Sequence, residues 1–134
     1  HATVTSHVAT QADQLVVLGA RSGSESEWAH ARADDTVRAV APGEVPDWEL
    51  SFEDQRVYLS VDIDAADPGF APGTGTPEPF GLDPATMHAV VREVAPACVG
   101  FDVVEINDRD DGQAATLGAK LLRAFVYAHA GGQP

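Results

Sequence analysis

Apolar positions along this chain fall into two alternating periods. Leu15 to Ala20 (LVVLGA) is a short apolar run closed by Gly19 and predicts a buried strand. Ser24 to Asp34 (SESEWAHARAD) predicts a helix, with Ser24 as N-cap and Glu27 completing a capping box. Val37 to Val40 predicts a short strand, and Pro42 to Glu49 a Pro/Gly-punctuated loop. Arg56 to Ile63 (RVYLSVDI) is β-branched and apolar, the pattern of a strand covered on both faces. Asp83 to Val94 opens on Asp-Pro, suited to N-cap and N1, and predicts a helix. Val99 to Ile106 (VGFDVVEI) predicts a second buried strand. From Gly112 to Ala130, Leu117, Leu121, Leu122, Phe125 and Val126 recur at helical spacing and predict a closing amphipathic helix.

Strands alternating with helices imply an α/β layer structure with a largely parallel sheet. A sheet of so few strands would leave an unpaired hydrophobic edge, so the chain is expected to be part of a larger sheet. No apolar run approaches about 18 residues and no signal pattern opens the chain, so a cytoplasmic protein without a membrane span is expected. The single cysteine, Cys98, lies between Ala97 and Val99 and is expected to be buried and structural.

Charge changes the picture more. Asp plus Glu number 21 against 8 Lys plus Arg, a net of −13, and Lys120 is the one lysine. Such a surface repels nucleic acid and anionic membranes, so neither is an expected partner. Dispersed acid with almost no lysine resembles the surfaces of proteins from salt-loving organisms, where screening relieves self-repulsion.

Candidate chemistry concentrates in Ser60 to Leu82, SVDIDAADPGFAPGTGTPEPFGL. Strand alternation places Asp62 and Asp64 on one face with Ile63 turned to the core. They stand at the carboxyl end of a strand, the edge at which open α/β sheets bind ligands. Two converging carboxylates repel unless a cation or proton lies between them, and hard oxygens suit Mg²⁺, Ca²⁺ or Mn²⁺. A pair of solvated acids is the plain alternative. A helix–loop–helix calcium loop fails, because its sixth and twelfth positions hold Asp67 and Gly73. A haloacid-dehalogenase-type phosphatase fails at Ala66, and a glycosyltransferase Asp-x-Asp leaves the PGTGTP segment unexplained. Asp67, before Pro68, is expected to bond turn amides. Glu105 shares strand parity with Phe101 and Val103, and a carboxylate at a strand end is a natural partner for a planar guanidinium. Asp102, of opposite parity, is expected to be a structural acceptor.

Ser-x-Asp-x-Asp-x-x-Asp-Pro followed by Ala-Pro-Gly-Thr-Gly-Thr-Pro-Glu-Pro resembles the signature of the arginase/agmatinase (ureohydrolase) family, agmatinase branch, with Gly73 and Glu78 as branch-specific positions. GFDVVEIN, Gly100 to Asn107, resembles that family's strand ending in Asp-x-x-Glu-x-Asn. The resemblance implies a three-layer α/β/α fold with a mainly parallel sheet, of which residues 1–134 would be the C-terminal part of one domain. It implies Asp62 and Asp64 as metal ligands, and Glu105 and Thr76 as substrate-binding residues. His1 resembles a proton-shuttling histidine, with an incidental terminal residue as the other reading. His7, His30, His88 and His129 are expected to be surface or packing residues. Asp108 stands where the family usually has Pro, and Phe80 where Gly is common. The family's upstream Gly-Gly-Asp-His and Asp-Ala-His-x-Asp motifs do not occur here.

The implied activity is hydrolysis of a linear, agmatine-like guanidino compound to urea and an amine, as in polyamine biosynthesis. Two Mn²⁺ ions about 3.5–4 Å apart would activate a water for attack on the guanidinium carbon. A guanidinobutyrase, formiminoglutamase or arginase, or a truncated non-catalytic fragment, are the alternatives. A complete protein is expected to form a homo-oligomer, trimer or hexamer.

Overall fold

The computed structural model describes residues 7–49, 51–52 and 54–131. These divide into two compact units, His1–Val45 and Pro46–Pro134. Both join parallel strands through helices.

In the first unit, β1 (Leu15–Leu18) pairs in parallel with β2 (Val37–Val40), Leu15 opposite Val37 and Leu18 opposite Val40. Between them runs α1 (Glu25–Ala33). Its start is as expected: Ser24 Oγ accepts from the Glu27 amide at 3.3 Å, and Glu27 Oε2 accepts from the Ser24 amide at 2.6 Å. This reciprocal pair satisfies two amides that a helix start otherwise leaves open. Val37 and Val40 are buried, but Val16 and Val17 are exposed, so β1 is not the buried strand its composition suggests. A two-stranded ribbon offers it one neighbour, and α1 contributes no buried residue. The expected loop after β2 is a 3-10 helix, Pro42–Asp47.

In the second unit, β3 (Val57–Asp62) pairs in parallel with β4 (Cys98–Val104), Ser60 opposite Asp102 and Asp62 opposite Val104. The crossover carries a 3-10 turn (Ile63–Ala65), a long loop, α2 (Pro84–Val94) and a further turn (Ala95–Ala97). α3 (Gln113–His129) follows β4. Asp83 caps α2 as expected, accepting from the amides of Ala85 and Thr86, with Pro84 just inside the helix.

The core of this unit is built from Val61, Ile63, Met87, Val91, Val94 and Leu121. Leu121 is fully buried, and Leu121→Ala there would cost on the order of 2–5 kcal/mol. The buried seam of α3 is Ala114, Gly118, Leu121 and Ala124, whereas Leu122 and Val126 are exposed. The expected stripe is thus corrected in part: Leu121 is buried as expected, and small residues rather than Leu122 and Val126 complete the seam. The reason is close approach: a Cβ on Gly118 would come within 2.5 Å of Ile106 Cδ1. Phe125 stacks on Phe101 at 4.2 Å between centroids, fixing α3 on one face of the strand pair. On the other face Tyr58 is 63 % exposed and Ser60 is exposed too, so β3 is covered on one side rather than both. Among the described residues no helix is long and apolar enough to cross a membrane.

Candidate active site

Asp62 is the last residue of β3, half-buried above Ile63, whose side chain is wholly inside. The strand stops there. Asp62 Oδ1 accepts from the Asp64 amide at 2.8 Å and so caps the turn Ile63–Ala65. Asp64 therefore lies on a turn, and strand alternation is not what brings the two carboxylates together. The 3-10 turn folds Asp64 back onto its neighbour. Burial raises the Asp62 pKa above the usual carboxylate range; the Asp64 amide opposes this, and the charges of Asp64 and Glu105 add to it. A cation at this place would relieve that repulsion.

Thr76 Oγ1 donates to Asp64 Oδ2 at 2.7 Å, closing the Gly-Thr-Gly-Thr loop onto the turn. Glu105 stands just past β4, exposed and in left-handed backbone at φ 62°. Its direction is set by this reversal, which corrects the expectation that it continues the parity of Phe101 and Val103. A Cβ on Gly75 would lie 3.5 Å from Glu105 Oε2, so the loop borders the glutamate directly. Asp62, Asp64, Thr76 and Glu105 thus gather beyond the carboxyl ends of one parallel strand pair. His1 lies outside the described residues.

The supporting shell matches expectation in several places. Asp67 Oδ1 accepts from Gly69, and its Oδ2 from Phe80 and Gly81, pinning both ends of the loop. Phe80 takes φ 66° with its ring 87 % exposed, a conformation that explains why glycine is common there. Asp102 accepts from Tyr58 Oη at 2.7 Å and Ser60 Oγ at 2.6 Å, and its bond raises the Tyr58 pKa. Cys98 is buried, and burial pushes its thiol up. His7 and His30 are exposed, and His88 is part-buried on α2. His129 bonds the Ala95 carbonyl through Nδ1 and stacks on Phe125, a packing role.

Two residues escaped the sequence reading. Thr74, 2 % exposed, carries a buried hydroxyl with no hydrogen-bond partner among the described residues. Asp110 accepts amides from both the loop and the start of α3. An Asp shortly before a helix is a cap signal that could have found it.

Among the described residues no group of three or more His, Cys, Asp or Glu side chains is arranged to hold a metal ion. Asp62 and Asp64 do supply adjacent hard oxygens on one rigid turn, a donor set that fits part of a divalent-metal site.

Parallel strands joined by helices define an α/β protein, and the carboxyl edge of such sheets, where these carboxylates lie, is the edge at which open α/β sheets bind ligands. The arginase-family model matches residues 1–127, and the chain belongs to the arginase family. It is 46% identical over 80 residues to proclavaminate amidinohydrolase of Streptomyces clavuligerus, a match covering 54% of this chain and 26% of that protein. With mitochondrial agmatinase of Gallus gallus it shares 47% identity over 72 residues, 52% of this chain and 21% of that one. The solved agmatine ureohydrolase of Thermoplasma volcanium superposes with a TM-score of 0.81 at 31% identity, covering 97% of this chain and 47% of that structure. The fold is thus arginase-like α/β. The chain spans about half the length of that solved relative, and the matched segments about a quarter of the two curated ones.

Proposed function

We propose that this chain carries the substrate-facing part of a manganese-dependent hydrolase that cleaves a linear guanidino compound, of the agmatine type, to urea and an amine. The observation that carries this reading is the gathering of Asp62, Asp64, Thr76 and Glu105 beyond one pair of parallel strands. A carboxylate pair for metal and a separate carboxylate for a planar cation are two of the things such a reaction needs.

Asp62 and Asp64 would hold the metal, the turn fixing their oxygens in one orientation. Bound manganese would lower the pKa of a water and supply the nucleophile at neutral pH. Glu105, exposed at its reversal, would accept two guanidinium N–H bonds and aim the carbon at that nucleophile. Thr76 spends its proton on Asp64, which leaves its oxygen lone pairs to accept from the substrate. His1 would carry a proton to the leaving amine.

The test is urea production and bound manganese after dialysis, on this chain and on one joined upstream to the Gly-Gly-Asp-His and Asp-Ala-His-x-Asp motifs. The joined chain should hold about two manganese ions and form urea, and this chain alone should bind the metal weakly. In the joined chain, Asp62→Asn or Asp64→Asn should lower bound manganese toward one or none and abolish urea. Full metal retention in both variants would show the aspartates to be ordinary surface acids. A joined chain that holds metal yet makes no urea would favour the non-catalytic reading.

A further inference from the structure

The loop that carries Thr76 has no regular structure, yet both backbone polar groups of Gly73 are held. Its carbonyl accepts from the Asn107 amide at 2.8 Å, and its own amide donates to Asp110 Oδ2 at 2.8 Å. The same oxygen accepts from the Ala114 amide at 2.7 Å, in the first turn of α3, while Oδ1 accepts from Gly112 at 3.1 Å. One carboxylate therefore joins the loop, the turn before α3 and the helix itself. Gln113 Nε2 adds a second tie, donating to the Phe70 carbonyl at 2.7 Å. The fit at Gly73 is tight enough that a Cβ there would overlap the Asp110 carboxylate and the Asn107 carbonyl. α3 is a firm anchor, because Ala114, Gly118, Leu121 and Ala124 bury its seam.

Position in the chain gives the junction its significance. Three residues beyond Gly73, Thr76 bonds Asp64; two residues before Asn107 stands Glu105. The Gly73 junction thus sets the loop bearing Thr76 against the strand end bearing Glu105. We infer that Asp110 is a positioning residue for the guanidinium pocket, holding Thr76 and Glu105 at their working separation through the Gly73 amide. This rests on the function proposed above. Burial tends to raise the Asp110 pKa, but the amides of Ala114, Gly73, Gly112 and Gln113 outweigh it and keep the carboxyl below its usual range. The group is a charged acceptor throughout the neutral range. An amide in its place would turn an N–H₂ toward at least one of these N–H donors.

The experiment compares Asp110→Asn, Gly73→Ala and the double variant in the urea-forming chain. Asp83→Ala serves as a control, since it removes the cap of α2 without touching the loop. Asp110→Asn should raise KM for a linear guanidino substrate about tenfold, with kcat changed less than about threefold and bound manganese unaltered. The Gly73 amide should exchange with deuterium at least about tenfold faster, because a neutral amide oxygen accepts more weakly than the carboxylate and the N–H₂ repels a donor of the same junction. Gly73→Ala should act in the same direction, and the double variant should be no worse than the poorer single one, since both break one junction. Asp83→Ala should lower Tm and leave KM alone. If Asp110→Asn behaves like Asp83→Ala, with KM and Gly73 exchange unchanged, Asp110 is a helix cap and the inference falls. If the parent chain forms no urea, the guanidino reading fails separately. Gly73 exchange then decides the clamp, and unchanged protection in Asp110→Asn overturns it.

Discussion

Glu105 occupies left-handed backbone, a conformation costing a non-glycine residue roughly 1–2 kcal/mol. Strain of this kind persists where surrounding contacts enforce it, and here it accompanies a carboxylate that borders Gly75. Glu105→Gln should cost at least about a hundredfold in kcat/KM (~3 kcal/mol) by removing a charge-assisted pair, with manganese content near normal. Glu105→Gly should abolish activity equally while Tm holds or rises, because the strain is relieved. An active Gln variant, or a Gly variant with sharply lowered Tm, would make Glu105 a structural residue. Thr74 gives an opposite test. Its buried hydroxyl has no partner among the described residues, so Thr74→Val keeps the shape and removes the cost of burying it. Stability by denaturant titration should stay within about 0.5 kcal/mol or improve. A loss of about 2 kcal/mol would mean that the hydroxyl is bonded in solution.

Among the elements, α1 and α2 were legible because their start signals are local: Ser24 with Glu27, and Asp83 with Pro84, each lie within one turn. Asp83→Ala should cost about 1 kcal/mol of stability. Hydrogen bonds from Thr86 and Ala85 outweigh burial and hold the Asp83 pKa below its ordinary value. A carboxylate with a lowered folded pKa stabilises fully above its unfolded pKa, and that contribution is lost as pH falls through the folded value. Wild type should therefore lose stability below about pH 4 more steeply than Asp83→Ala, and parallel curves would refute the cap's charged state. The strand ends and the face of α3 were less legible. Period-two alternation does not say where a strand turns into a 3-10 step, and helical spacing does not say which neighbour comes near. β3 stops at Asp62 and β4 at Val104 because the next residues bond a turn and a reversal.

For the whole molecule, charge is the dominant quantity. At −13 with one lysine, self-repulsion opposes the compact state, and salt screens it over a Debye length that shrinks from about 10 Å at 0.1 M to about 3 Å at 1 M. Tm should rise strongly between those KCl concentrations, as expected of a protein adapted to high salt. A flat or falling Tm would remove that adaptation from consideration. The arginase-family membership was visible in two long motifs, Ser60 to Pro79 and Gly100 to Asn107, since each is continuous in the chain.

The sequence alone determined the alternation of strands and helices, two of the helix starts, the burial of Cys98, the turn-bonding role of Asp67 and the identity of the candidate carboxylates. Most of these depend on residue type, on contacts within a few residues or on contiguous motifs. Tertiary structure decided how those carboxylates meet, through a turn at Ile63–Ala65 and a reversal at Glu105. It also set small residues beside Leu121 in the seam of α3 and assigned Asp110 to the Gly73 amide, 37 positions away. Such pairings depend on which segments the packed core brings within hydrogen-bond reach, and no local pattern along the chain encodes that distance.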